Sequence, residues 1–210
     1  KWALVHLDGF LKSISKSRCY STIPRFLNAE WEKEEANNLK YLWPVIRLLK
    51  ADILKILAPL IIKIEEEKYR QPFLKTLVFH IEKNVPLFSK LLSSFDESMI
   101  IAFLPVIGML KQEDFITFML QLTKHESNVI RNKSSRKLLA KEPAVIKSLF
   151  FLLDDPHEPI RKRVLMHMGR QRDVKLERFL LKYFHRSSLN QNDPEHLLGC
   201  YEALGQCGSA

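Results

Sequence analysis

Glycine is scarce in this chain, six in 210 residues, which argues against an all-β fold, whose tight turns draw on glycine repeatedly. No glycine-rich loop of the phosphate-cradling kind is present, so nucleotide hydrolysis lacks its usual anion site. Cysteine is scarcer still, and three residues cannot build a disulfide framework. Cys200 and Cys207 on one helix would stand about 10 Å apart, beyond disulfide reach. Neither a C-x-x-C pair nor a zinc-ligand spacing occurs, and the expected setting is reducing, intracellular and cytoplasmic. Long hydrophobic runs are missing too. The apolar run from Ile53 to Ile64 is broken by Lys55, Pro59 and Lys63, and no segment approaches the roughly 20 residues that span a bilayer, so no membrane insertion is expected. No signal peptide is visible. The opening at Lys1 and the stop at Ala210 point to a piece of a longer protein.

What is present reads as helix. With 46% apolar and 27% charged residues the chain can bury a sizeable core. Ile146, Leu149, Phe150 and Leu153 lie three, four and seven apart, and Ile160, Val164, Leu165 and Met168 form a second such stripe. Two apolar helical faces therefore meet across the corner Asp154-Asp155-Pro156. There a carboxylate can cap the free N–H groups of the second helix, and Pro sits where no N–H is missed. Gly169 stops or closely packs that helix.

The same spacing organises the rest. Trp2 to Phe10 reads as a short helix followed by a polar, Ser-rich linker, so residues 1–27 are expected to be the tail of a preceding domain. A long helix is expected from Glu30 to about Lys50, kinked at Pro44, with Pro59 and Pro105 recurring inside later apolar runs. Helix pairs then follow: Ile53 to Ile64 with Pro72 to Glu82 across a charged EEEKYRQ corner, and Pro86 to Leu92 with Glu97 to Leu110. Asp114 to Leu122 pairs with Asn128 to Leu139, Pro143 to Leu153 with Glu158 to Gly169, and Val174 to Phe184 with Glu195 to Gly205. Asp193 and Pro194 supply the last helix with a cap and a first residue.

The stretch from Leu149 to Arg170 resembles one unit of a HEAT-type helical repeat: Leu152, Leu153, Asp155, Pro156, Ile160, Arg161, Leu165, Met168 and Gly169 occupy the places that define it. The unit recurs. Laying Leu122 on Leu152 superimposes Ile130-Arg131 on Ile160-Arg161 and Leu138 on Met168, a step of 30. A step of 31 relates Met99 to Ile130, and one of 36 relates Met168-Gly169 to Leu204-Gly205, the extra residues falling in the loop from Ser187 to Asn192. The resemblance implies an all-α, right-handed α-solenoid of about five stacked antiparallel helix pairs over residues 28–210. It also implies that Arg131 and Arg161 bond corner carboxylates, Asp154 or Asp155, as a structural ladder.

Charge is unevenly distributed. Residues 124–186 hold 16 Lys and Arg against 7 Asp and Glu, a net of +9; residues 1–123 hold 17 against 14 and residues 187–210 none against 3. At a step of 30, Lys133 aligns with Arg163 and Lys137 with His167, while Arg170 extends the row. Lys133, Lys137, Arg163, His167 and Arg170 would form a basic ridge along the second helices, which line the concave surface in HEAT-like arrays. Such a ridge attracts an acidic protein surface or peptide. Nucleic acid held through its phosphates is the alternative, although no exposed aromatic for base stacking is visible beside the ridge. A solvated basic face with no ligand is the bland reading.

Enzymatic readings fit less well. A HEAT-like DNA glycosylase would need a carboxylate and aromatic set in its cleft, and none maps onto this chain. His125-Glu126 and His157-Glu158 resemble the iron-binding pairs of deoxyhypusine hydroxylase, but they precede Arg131 and Arg161 in the corners, where that family places its pairs after the Arg on the helix. No histidine sits in a nucleophile elbow, and His80 and His196 on apolar helices read as packing residues. No catalytic, metal or cofactor residue is expected. The expected function is a non-enzymatic interaction scaffold.

Overall fold

The computed structural model describes residues 42–49, 53–64, 67–184 and 193–207. Among them are ten α-helices, two 3-10 segments and no strand. Residues 1–27, most of the helix expected from Glu30, and the loop 187–192 lie outside the described residues. The chain divides into two compact units, Lys1–Phe115 and Ile116–Ala210.

In the first unit, α1 (Leu42–Arg47), α2 (Leu54–Leu57), the 3-10 segment Ala58–Ile62, α4 (Val85–Leu92) and α5 (Glu97–Gly108) all pack against α3 (Glu67–Lys83). Its core is aromatic at the centre. Phe88 and Phe95 stand 5.4 and 5.2 Å from the ring of Phe103, and Trp43 stands 6.1 Å from Phe73. Each fully buried Phe side chain contributes about 1.5–3 kcal/mol of transfer free energy. Glu67 to Gln71, expected to form part of a corner, belong instead to the first turns of α3. Pro59 ends the α-helical run: the chain tightens to 3-10 from Ala58, because Pro cannot donate to the carbonyl four residues back. Pro44 lies in α1, the described part of the helix expected from Glu30, whose preceding residues are outside the described ones. Pro72 and Pro105 sit inside α3 and α5, and the Thr76 hydroxyl donates to the Pro72 carbonyl at 3.0 Å. Asn84 and Asp96 cap α4 and α5, accepting from the amides of Leu87 at 3.2 Å and Met99 at 2.8 Å.

Helix α6 (Gln112–Leu122) leads into the second unit, which holds α7 (Asn128–Lys141), the 3-10 segment Pro143–Asp154, α8 (Glu158–Arg170), α9 (Val174–Phe184) and α10 (Pro194–Cys207). Helix α8 is its hub, packing on α7, on the 3-10 segment and on α10, and α9 packs on α10. The segment expected as a helix from Pro143 to Leu153 is 3-10 throughout, yet it buries Ile146, Leu149, Leu152 and Leu153 as its periodicity requires. Glycine sets the approach of α8 to α10. A Cβ on Gly169 would stand 2.5 Å from Gln206 Oε1 and 3.1 Å from its Cβ, and one on Gly199 would stand 3.2 Å from Leu165 Cδ1. Gly169 thus packs a neighbour rather than stopping its helix, which runs on to Arg170.

Candidate anionic-partner surface

The arginines of the second unit fall into two sets, and hydrogen bonding separates them. Arg131 leaves α7 backwards: Nη1 donates to the carbonyls of His125 and Glu126 at 2.9 and 2.6 Å, while Nε and Nη2 grip Asp155 side-on at 2.6 and 3.0 Å. Their side chains are 13% and 3% exposed. Arg161 repeats the pattern one helix later. Its Nη1 donates to the carbonyls of Asp155 and Pro156, again six and five residues back, at 2.7 and 3.2 Å, and its Nη2 donates to Asp193. Each aspartate also orders the backbone of its own corner. Asp155 Oδ1 accepts from the amide of His157 at 2.8 Å, just ahead of α8, and Asp193 Oδ1 accepts from the amide of His196 inside α10 at 3.0 Å. Asp154 takes no part, because it accepts the hydroxyl of Tyr183 at 2.9 Å. Asp155 is held below the ordinary carboxylate range: burial pushes it up, and the Arg131 guanidinium, the His157 amide and the charges of both residues together outweigh that.

The remaining cations gather elsewhere. On α8, Arg163, His167 and Arg170 are four and three apart and share one face. Lys133 and Lys137 are exposed on α7, but Arg163 does not meet Lys133. It meets Asn132, whose backbone carbonyl accepts from Nη1 at 3.1 Å and whose Oδ1 accepts from the same nitrogen. That contact brings in Arg136, one turn beyond Asn132, a residue that stepwise alignment of the repeats had not singled out. Burial, then the charge of Arg136, holds Arg163 below the ordinary arginine value. Burial, then Arg170 and Arg163, likewise holds His167 below the ordinary histidine value. Among the described residues no carboxylate pairs with Arg136, Arg163 or Arg170.

No protein-family model, no curated protein and no solved structure matches this chain. The surface is therefore read from its own chemistry. A cavity of about 240 Å³ opens on the opposite side of α8, lined by Glu158, Arg161, Lys162 and Leu165 with Glu195 and Glu202 of α10, and its mixed charges favour no one sign of ligand. Behind it Tyr183, His196 and Cys200 form a buried cluster. Tyr183 Oη lies 3.0 Å from His196 Nε2, and Cys200 Sγ lies 3.9 Å from that nitrogen. Burial pushes the Cys200 thiol up to about 11 and holds His196 below its ordinary value, so neither the thiolate nor the imidazolium of a reactive pair is favoured. His80 is also buried, with Nε2 3.0 Å from the Ile46 carbonyl. His125 accepts from the amide of Ser127 at 3.0 Å, and among the described residues no group of three His, Cys, Asp or Glu side chains could hold a metal. Among the described residues no helix is long and apolar enough to cross a membrane.

Two exposed aromatics escaped the sequence reading. Phe151, 42% exposed, has the Lys124 ammonium 5.7 Å from its ring, and Tyr201 is 60% exposed on α10. Phe151 follows the half-buried Phe150 within an apolar run, one position off the stripe of Ile146, Leu149 and Leu153.

Proposed function

We propose that this chain is a non-enzymatic interaction module of the HEAT-like α-solenoid kind, presenting the cationic faces of α7 and α8 to an acidic segment of a partner protein. One observation carries the reading. Arg131 and Arg161 are consumed by corner aspartates, whereas Arg136, Arg163 and Arg170, with Lys133 and Lys137 beside them, meet no carboxylate among the described residues. Unneutralised like charges on adjoining helices repel one another, and an anionic partner relieves that repulsion while speeding encounter. The repeated geometry of Arg131 and Arg161 supports the stacked-repeat part of the proposal, since each links one corner to the next.

The test is anisotropy titration of the chain with a fluorescent oligoglutamate peptide at low and at physiological salt. Binding is expected to weaken with salt and to vanish in Lys133→Glu/Lys137→Glu/Arg170→Glu, whose three sites are exposed, so that the fold is retained. No binding at low salt overturns the reading. A random-sequence duplex that displaces the peptide would instead favour a nucleic-acid-binding solenoid using phosphate contacts.

A further inference from the structure

Arg131 shows how this fold holds an oxyanion: Nη1 is pinned by backbone carbonyls, and the Nε/Nη2 edge grips two carboxylate oxygens. Arg163 repeats the first half of that arrangement and lacks the second. Its Nη1 is pinned by the carbonyl and the side-chain oxygen of Asn132, and its Nε and Nη2 have no partner among the described residues. Arg163 is half-buried, and neither nitrogen is among the fully buried, unpartnered atoms of the described residues, so the edge keeps part of its surface exposed. The guanidinium is therefore held in place with its bidentate edge unoccupied. Around it stand Arg136, one turn from Asn132 on α7, and His167 and Arg170, on the same face of α8.

We propose that Arg163, with Arg136, His167 and Arg170, forms a subsite for a phosphomonoester, the phosphate of a phosphoserine or phosphothreonine within the acidic segment assigned to this face. The inference rests on the acidic-partner reading and narrows it. A carboxylate brings one charge to the three guanidinium cations of this face, whereas a phosphomonoester brings nearly two and has three oxygens, enough for the side-on edge of Arg163 and a second guanidinium together. A phosphodiester carries only one charge per group, which suits an extended basic track better than a convergent set. The partly buried position of Arg163 strengthens any such contact, because the charge it opposes is less screened there than at the exposed Lys133 or Lys137. The pinned orientation also removes part of the ordering entropy that a free Arg side chain would lose on binding.

The experiment uses one acidic peptide in three versions, with Ser, Glu or phosphoserine at its centre, titrated against the chain by anisotropy. The phosphoserine version is expected to bind about tenfold more tightly than the Glu version. Arg163→Lys, which keeps the charge and loses the planar edge, is expected to erase that difference while leaving the Glu peptide bound. Arg163 is half-buried, so circular dichroism confirms folding of that variant. The exposed Arg136→Gln gives a second readout, with the phosphoserine advantage reduced and the Glu peptide little changed. Equal affinity for the Glu and phosphoserine peptides overturns the phosphate subsite and leaves the acidic partner standing. No binding of any version overturns both. A random duplex that competes as well as the phosphopeptide overturns the monoester assignment in favour of nucleic-acid phosphates.

Discussion

In residues 42–115 the turns between helices are closed by side chains acting on their own helix, Asn84 on the Leu87 amide and Asp96 on the Met99 amide. In residues 116–207 such local caps, Ser127 on the Ile130 amide and Asp193 on the His196 amide, are joined by arginines that reach from one corner to the next, Arg131 to Asp155 and Arg161 to Asp193. The difference follows charge. The first unit, with 17 basic against 14 acidic residues, is close to balanced and built around the rings of Phe88, Phe95 and Phe103. The second carries 16 against 10, and two of its arginines are neutralised internally, one at each of two corners, while others meet no carboxylate among the described residues. Whether an arginine of this unit is paired thus depends on whether an aspartate waits at the following corner.

The sharpest way to break the contrast is to remove one acid. Asp155→Ala leaves a half-buried guanidinium without its carboxylate and is expected to cost about 3 kcal/mol in denaturant unfolding. The local closure in the first unit should be cheaper, with Asn84→Ala costing about 1 kcal/mol by the same measurement. An equal cost at the two sites would erase the distinction. Glycine gives the next step: Gly169→Ala brings a Cβ against Gln206, whereas Gly205→Ala meets nothing within 4 Å, so the first variant should be less stable than the second by about 1–2 kcal/mol. Smaller again is Arg172→Gly. Arg172 follows α8 with φ 46°, a left-handed conformation that a side chain resists, and glycine there is expected to stabilise by about 0.5–1 kcal/mol in thermal unfolding.

The pH dependence separates the charge types rather than the units. His80 in the first unit and His167 and His196 in the second are held below the free histidine value, chiefly by burial. The unfolded chain then binds their protons more readily, so their contribution is intact above about pH 6.5 and declines as pH falls from there. Asp155 behaves differently: its depressed value contributes stability above about pH 3.9 that is lost on further acidification. Urea midpoints between pH 7 and 5 should therefore fall, and less steeply in His80→Leu and His196→Leu. An unchanged slope in both would show that neither buried ring is the cause.

Much of this organisation was legible in the sequence, for reasons that differ by element. The starts expected at Glu97 and Asn128 are the observed ones and that expected at Pro86 is one residue late, while Asp193, expected as a cap, accepts from the His196 amide. The step of 30 placed Ile130 with Ile160 and Leu138 with Met168, and all four are fully buried. Lateral contacts could not be read in the same way. Repeat alignment fixes where a residue lies along its helix, but the rotation and offset of neighbouring helices decide what it touches. Arg163 therefore meets Asn132, 31 residues earlier, instead of Lys133, and Arg136 enters the cationic set. Asp154 and Asp155 are adjacent and alike in sequence, and only the position of Tyr183 shows that the first is already engaged. The 3-10 winding of Pro143–Asp154 was hidden because a three-and-four spacing of apolar residues suits either helix.

The link from Arg131 to Asp155 and from Arg161 to Asp193 also has a direction. In both cases the cation comes first in the chain and its acid 24 or 32 residues later. Each corner arginine is therefore completed by an acid that lies later in the chain, so that a chain cut short before Asp155 leaves Arg131 without its carboxylate, and one cut short before Asp193 leaves Arg161 without its own.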